Sequence, residues 1–329
     1  MAPLPKSRRS ALLAARAASF ALVMCVTPRE ASAFCRTTTL PVPPNYSPTE
    51  KGCFTDGLLL FWRNACVGYS INRAASVTIP FDTAQRVVDA AFATWMASTC
   101  SGNGRPLGIT VSNVGAAECG EVQYRSSAPN QNVIVFRDRS WPYSDLSSSL
   151  GLTTVTFDAD TGEMFDADME INNSRGALTA TERVAPNGFD LASVITHEAG
   201  HFLGLAHAAD RNATMFANYR SGTTLRTLGA DDVAGICSIY PNASSRVVSL
   251  LSLPCTWCRP AAAGATEVIF AEACDPTARH GFTTECTNPP QSRPPSGCSA
   301  SPSSTSSSSG SRTIALLIAG LLMVRKRRA

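Results

Sequence analysis

The sequence is poor in charge and in histidine, and its C-terminal apolar run is short. Charged residues make up 16% of the chain, and only four of its 329 residues are histidine. The run TIALLIAGLLMV at 313–324 has twelve residues, whereas an ordinary membrane-spanning helix needs about 20. The short run therefore excludes an ordinary transmembrane helix at this end of the chain.

Positive charge is scarce between the two ends of the chain. The formal net charge is +3, but residues 1–33 hold five basic residues and one acidic residue, and residues 325–329 hold four basic residues. The rest carries 19 basic and 24 acidic residues, a net charge of −5. Because nucleic-acid binding needs an excess of positive charge, we exclude nucleic acid as a partner.

Both ends resemble targeting segments. The first 33 residues have a basic start, an apolar run at 17–26 and a small-residue triplet at 31–33, which is the order of a secretory signal. Cys298 is followed by a serine-rich stretch, the short apolar run and a basic end. This tail resembles the sorting tails of myxobacterial surface proteins. We therefore expect export, followed either by secretion or by attachment to the cell surface or outer membrane through the tail.

Ten cysteines lie between the signal and the tail. An even number in an exported chain predicts up to five disulfides. The spacing alone does not determine the pairing, which stays open here.

Hydrophobic periodicity predicts an α+β fold with a mixed twisted sheet. Residues 81–98 form an amphipathic helix, which we expect Asp82 or Thr83 to cap, and a second helix starts at Asp190. Further elements are buried strands at 107–114 and 132–138, a hairpin with arms at 151–157 and 165–172, and a C-terminal helix at 230–240. The predicted organisation is a signal peptide at 1–33, a Pro/Thr-rich lead at 34–57, a main α+β domain at 58–241, a small Cys-rich disulfide appendage at 242–290, a Pro/Ser-rich stalk at 291–312 and the sorting tail at 313–329.

The motif HEAGHFLGLAH at 197–207 contains three of the four histidines. Positions i and i+4 share a helix face, so His197 and His201 can bind one metal ion, while Glu198 can reach a water molecule beside it. His207 is too far along a straight helix to join them. The chain must turn, and Gly204 lies where a left-handed residue is needed.

This motif matches the HExxHxxGxxH signature of the metzincin zinc metalloproteases at every defined position. Met215, in the segment NATMFANY, corresponds to the methionine turn of that family. The segments VTIPFDTAQRVVDAAFATW, FDADMEIN and LGADDVAGICSIYP are similar to the matrixin branch, the matrix-metalloprotease-like group. The resemblance covers about residues 58–241.

The resemblance implies an exported zinc metalloendopeptidase that hydrolyses peptide bonds in protein or peptide substrates, with a zinc-bound water that Glu198 activates. It implies one catalytic Zn²⁺ held by His197, His201 and His207, with Met215 as a packed floor beneath the ligands. The alternative is a catalytically weak surface module that binds proteins on the same scaffold. A group of acids could also bind Ca²⁺, although a solvated acidic turn is the favoured interpretation; these acids are Asp158, Asp160, Glu163, Asp166 and Asp168.

Overall fold

The computed structural model describes residues 34–100, 105–146, 148–241, 245–249, 266–270, 275–286 and 314–318. The predicted signal peptide and almost all of the predicted stalk and tail lie outside these residues. The helices are α1 (Pro48–Lys51), α2 (Phe81–Met96), α3 (Leu191–Phe202) and α4 (Ala230–Ile239), with a 3₁₀ turn at Ser144–Leu146. The strands are β1 (Cys35–Arg36), β2 (Cys66–Asn72), β3 (Thr99–Cys100), β4 (Arg105–Pro106), β5 (Thr110–Ala117), β6 (Val133–Arg137), β7 (Gly151–Phe157), β8 (Met164–Asn172), β9 (Leu178–Thr179), β10 (Phe189–Asp190), β11 (Leu205–Ala206), β12 (Ser245–Ser249), β13 (Thr266–Phe270) and β14 (Ile314–Ile318).

The main sheet is mixed, as the sequence predicts. Five strands from the predicted catalytic region lie in the order β7-β8-β6-β2-β5, and β14 pairs with the other side of β7. Strands β8, β6, β2 and β5 are parallel, whereas β7 runs antiparallel to β8. The predicted hairpin is therefore confirmed, and with it the α+β class.

Two helices cover one face of this sheet and form the core with it. The amphipathic helix α2 buries Val88, Phe92 and Trp95, and the Trp95 indole donates a hydrogen bond to the Thr196 carbonyl of α3 at 2.8 Å. The Phe92 ring lies against Phe202 near the end of α3, with the two centroids 5.1 Å apart. The helix carrying the histidine motif is therefore packed between α2 and the sheet.

The predicted cap of α2 is wrong. The helix begins at Phe81 with Pro80 as its N-cap, and no side chain caps it. Proline fixes its own φ, here −58°, and its carbonyl accepts the amides of Thr83 and Ala84 at 2.9 Å. Because the chain is already turned at Pro80, the side chains of Asp82 and Thr83 lie inside the helix.

Residues 275–286, which belong to the predicted appendage, pack against the catalytic region. Cys286 forms a disulfide with Cys119, and the Thr284 carbonyl accepts the Cys119 amide at 3.1 Å. Arg279 pairs with Glu163 at 3.2 Å. Further disulfides join Cys35 to Cys53 and Cys100 to Cys237, and Cys66 is also disulfide-bonded.

The predicted lead also packs against the motif region. Strand β1 pairs with β11, and the Thr37 amide donates to the Gly204 carbonyl at 2.9 Å. The described part of the chain includes no helix that is both long and apolar enough to cross a membrane.

Candidate active site

Helix α3 is fixed at its first residue by a buried acid. Asp190 is completely buried and accepts the Ser193 amide at 3.0 Å, as the sequence predicts for an N-cap. Its carboxylate also pairs with Arg226, at 2.8 Å. Because an ion pair and a cap meet on one carboxylate, the start of the motif helix cannot shift without breaking both.

The first two histidines are held in one tautomer by backbone carbonyls. His197 Nδ1 lies 2.7 Å from the Thr214 carbonyl, and His201 Nδ1 lies 2.8 Å from the Leu205 carbonyl. A carbonyl only accepts, so each Nδ1 carries the proton and each Nε2 keeps its lone pair. Burial lowers the pKa of His197 to about 4 and that of His201 to about 3. Both rings are therefore neutral near pH 7.

Gly204 lies at the turn between α3 and His207. Its φ is +94°, a backbone conformation that residues other than glycine rarely adopt. After this turn His207 faces the other two histidines, with ring centroids 5.2 Å from His197 and 4.9 Å from His201. Mainly through burial, the pKa of His207 also lies well below its usual value.

The three imidazoles converge on one point. One ring nitrogen from each of His197, His201 and His207 lies within 4.8 Å of the other two. Among the described residues, none lies within hydrogen-bonding distance of these buried Nε2 atoms, although the His207 side chain as a whole is partly exposed. Three neutral nitrogen donors with free lone pairs are a ligand set that suits Zn²⁺, so the residues present fit a zinc ion.

Met215 packs beneath this centre. It is 2% exposed, and a Cβ added to Gly200 of α3 would collide with its sulfur and lie 2.9 Å from Trp95. The Met215 amide donates to Asp232 at 3.1 Å, and its carbonyl accepts the Ala208 amide at 2.8 Å. The methionine is thus held close under the helix by backbone contacts on both sides.

Glu198 lies beside the histidines on the sheet side of α3. It is completely buried, and its Oε2 accepts a hydrogen bond from the Thr153 hydroxyl of β7 at 2.7 Å. Its Oε1 has no hydrogen-bond partner. Burial raises the pKa of Glu198 to about 8, and the Thr153 hydrogen bond opposes that rise. A cation bound nearby would favour the ionised form and lower this pKa.

Comparison with known proteins assigns the chain to a family. The family model described as Matrixin matches residues 61–241, more than half of the chain. The chain belongs to the matrixin family. The match includes the sheet, the motif helix and α4, and it agrees with the branch that the sequence motifs indicate.

Two relatives of this matrixin carry metalloproteinase names. The chain is 47% identical over 62 residues to Metalloendoproteinase 1-MMP of Arabidopsis thaliana, covering 18% of this chain and 17% of that protein. It is 26% identical over 197 residues to Matrix metalloproteinase-C of Caenorhabditis elegans, covering 56% of this chain and 29% of that protein. In each case the match spans less than a third of the relative's length.

The acids predicted as calcium candidates have three kinds of surroundings in this matrixin. Glu163 pairs with Arg279 at 3.2 Å and lies 3.8 Å from Arg63. Asp158 accepts the amides of Asp160 and Thr161 within its own turn, at 2.8 and 3.0 Å. Asp166 and Asp168 are buried on β8. Burial, together with the neighbouring Asp168, raises the pKa of Asp166 well above its usual value, and burial raises that of Asp168 to about 7.

Three residues of this matrixin site are not among those that the sequence motifs predict. Asp232 accepts the amides of Thr214 and Met215, and Thr153 and Gly151 lie against Glu198. The acidic pair at 231–232 in the first turn of a predicted helix was the available signal for Asp232. No local pattern distinguishes Thr153 or Gly151 from other strand residues.

Proposed function

We propose that this chain is an exported zinc-dependent endopeptidase that hydrolyses peptide bonds in protein substrates. The observation that carries the proposal is the convergence of three buried Nε2 atoms, none with a hydrogen-bond partner, beside a buried carboxylate. Leaving four polar atoms unpaired in a core costs stability, and a bound metal ion would compensate that cost. Membership of the matrixin family supports the same activity.

His197, His201 and His207 would hold the zinc. When bound, zinc supplies Lewis-acid polarisation of a substrate carbonyl and lowers the pKa of water. The imidazoles are neutral, so they leave the charge of the ion unreduced. The Nδ1–H groups of His197 and His201 are anchored to the Thr214 and Leu205 carbonyls, so these two rings keep one orientation.

Glu198 would act as the general base. Its Oε1 is free to accept a proton from the attacking water and to return it to the leaving amine. The site around it excludes bulk solvent, because Glu198 and two of the ligands are buried. A proton held on Oε1 would therefore pass to the substrate and not to the solvent.

A protein-binding module without turnover is the alternative, and the site argues against it. Glu198 is fully buried with an unpaired oxygen, an arrangement that destabilises the fold. Binding alone has no use for such a group, whereas a base needs a free oxygen. We therefore favour the peptidase.

Export is part of the proposal, supported by the signal-like N-terminus and by the disulfides. Cys35–Cys53, Cys100–Cys237 and Cys119–Cys286 are bridges that persist in oxidising compartments. Secretion or surface attachment through the tail is proposed from the sequence. Fractionation of cells producing the full chain tests this: protein confined to the cytoplasm would contradict export.

The experiment for the activity compares the full chain with Glu198→Gln. We expect one zinc per chain in both, cleavage of an unfolded protein by the natural chain, and loss of that cleavage with a chelator. General-base catalysis contributes about 10²–10⁴-fold, so Glu198→Gln should lower kcat by that factor while retaining zinc. Full turnover by the variant, or a natural chain that binds no zinc, would refute the proposal.

A further inference from the structure

The two oxygens of Glu198 have different surroundings. Oε2 accepts the Thr153 hydroxyl at 2.7 Å, and the same hydroxyl lies 3.2 Å from the Glu198 carbonyl. Oε1 is buried and has no partner. Since a hydroxyl has one proton, the shorter contact to the carboxylate is the stronger hydrogen bond.

The strand register directs Thr153 towards α3. Thr153 lies opposite Met169 in the β7–β8 pair, and both side chains are completely buried on the core side of the sheet. Threonine is β-branched, so its χ1 angle is restricted in a strand. The hydroxyl is therefore pre-oriented towards Glu198 by the backbone of β7.

Gly151 provides the space in which the carboxylate lies. A Cβ at this position would be 2.6 Å from Glu198 Oε1 and 2.8 Å from both Cδ and Cγ. Real Cβ atoms essentially never approach other atoms that closely. Any larger residue at 151 would displace the side chain of Glu198.

We propose that Thr153 is a positioning residue for Glu198, and that Gly151 provides the space which makes this position accessible. The proposal rests on the assignment of Glu198 as the general base. The hydroxyl fixes one carboxylate oxygen, so the other is presented to the water in a single orientation. Thr153 itself touches neither substrate nor metal.

The hydrogen bond does not have to break during turnover. When Glu198 takes a proton on Oε1, Oε2 remains an acceptor and Thr153 continues to donate to it. Without the hydroxyl, the carboxylate loses the one side-chain hydrogen bond that it has among the described residues and can rotate away from the position that catalysis needs. Substrate binding does not depend on this contact, so the effect should fall on kcat and leave KM unchanged.

Thr154 supplies a matched control on the same strand. Successive strand residues point to opposite faces, so its side chain lies away from Glu198. Its hydroxyl is buried without a hydrogen-bond partner, and replacing it with a methyl group leaves no donor or acceptor unpaired. Thr154→Val therefore makes the same chemical change without touching the site.

The test measures kcat, KM and zinc content for Thr153→Val, Thr153→Ser and Thr154→Val in the full chain, using a fluorogenic peptide selected from a library. A hydrogen bond to a charged group corresponds to about 10- to 100-fold in rate. We expect that loss of kcat in Thr153→Val, with KM and zinc content unchanged. Thr153→Ser keeps the hydroxyl, so its kcat should lie within about threefold of that of the natural chain. The control variant Thr154→Val should have the same kcat as the natural chain.

A second measurement needs no turnover. In metal-free protein with intact disulfides, Thr153→Val and Glu198→Ala are combined in a double-mutant cycle of chemical denaturation. If the two side chains attract each other, the double variant is more stable than the sum of the two single changes in unfolding free energy predicts. Strict additivity would overturn the contact, whatever the activity of the chain.

The outcomes separate this inference from the proposed function. If the double-mutant cycle shows coupling but Glu198→Ala keeps full turnover, the contact is established. The proposed base, and the positioning role that depends on it, are then refuted. If Glu198→Ala is inactive but Thr153→Val and Thr154→Val have equal kcat, only the positioning role is refuted. Thr153→Ser as slow as Thr153→Val would also overturn it, because the hydroxyl would then not be the active feature.

Discussion

Asp232 connects α4 to the turn beneath the metal centre, and its removal should cost both stability and zinc affinity. Its carboxylate is 1% exposed and accepts the amides of Thr214 at 2.8 Å, Met215 at 3.1 Å and Gly229 at 2.8 Å. Substitution by alanine leaves these buried donors without an acceptor. Each such loss costs about 1–3 kcal/mol. A water entering the vacated space would recover part of the cost, so we expect Asp232→Ala to lower the free energy of unfolding by about 3–5 kcal/mol.

Asp232→Ala should also weaken zinc binding, because Asp232 holds the residue that orients one of the proposed ligands. The carbonyl that orients His197 belongs to Thr214, whose amide is held by Asp232. Loss of an outer partner of a metal ligand typically reduces metal affinity about 10–100-fold. Zinc titration of Asp232→Ala should therefore show weaker binding by that factor.

The assay is urea denaturation of metal-free protein with its disulfides intact, followed by zinc titration of the folded variant. Asp82→Ala is the control, since Asp82 is an exposed acid in the first turn of another helix. Its loss should cost less than about 1 kcal/mol. A loss below about 1 kcal/mol for Asp232→Ala, or unchanged zinc affinity, would show that the turn is not held as described.

Two further predictions concern packing and pH. Gly200→Ala should lower the free energy of unfolding by about 1–3 kcal/mol, because the new Cβ would collide with Met215 and lie 2.9 Å from Trp95; an unchanged melting temperature would contradict this close packing. The pKa of Asp166 is raised, mainly by burial and next by Asp168, so in the folded state it keeps a proton that it loses on unfolding above about pH 4. Its contribution to stability is complete below that pH and disappears as the pH rises. Asp166→Asn should therefore remove this pH-dependent loss, which is at most about 1.4 kcal/mol per pH unit. Denaturation curves of the metal-free natural chain and the variant should diverge as the pH rises above about 4; parallel curves would refute the raised pKa.

Local sequence patterns predict the elements that carry the proposed metal ligands. The i, i+4 spacing of His197 and His201 requires only a helix, and Asp190 caps it within three residues. Gly204 has the positive φ that a sharp exit from the helix needs. These features depend on neighbours a few residues away, where backbone geometry is regular.

The residues that hold the ligands in place could not be predicted in the same way. Thr153 is 45 residues from Glu198 in sequence, and Asp232 is 18 residues from Thr214. Their contacts arise from strand register and from the packing of α4. The disulfide pairing is equally non-local, since Cys119 and Cys286 are 167 residues apart. A strand threonine and an acid in a first helical turn are common residues whose role appears only when distant elements meet.

The same long-range contacts explain why a destabilising site can persist in this fold. Buried imidazoles and a buried carboxylate each lower stability when left unpaired, yet His197, His201 and Glu198 are each fixed by a group outside α3. The Thr214 carbonyl holds His197, the Leu205 carbonyl holds His201 and the Thr153 hydroxyl holds Glu198. These contacts leave one atom of each side chain unpaired and held in one direction. To pair that atom within the protein, a strand or a turn would have to move as a unit. These contacts orient His197, His201 and Glu198 without a metal, which would lower the reorganisation needed at the proposed reacting centre.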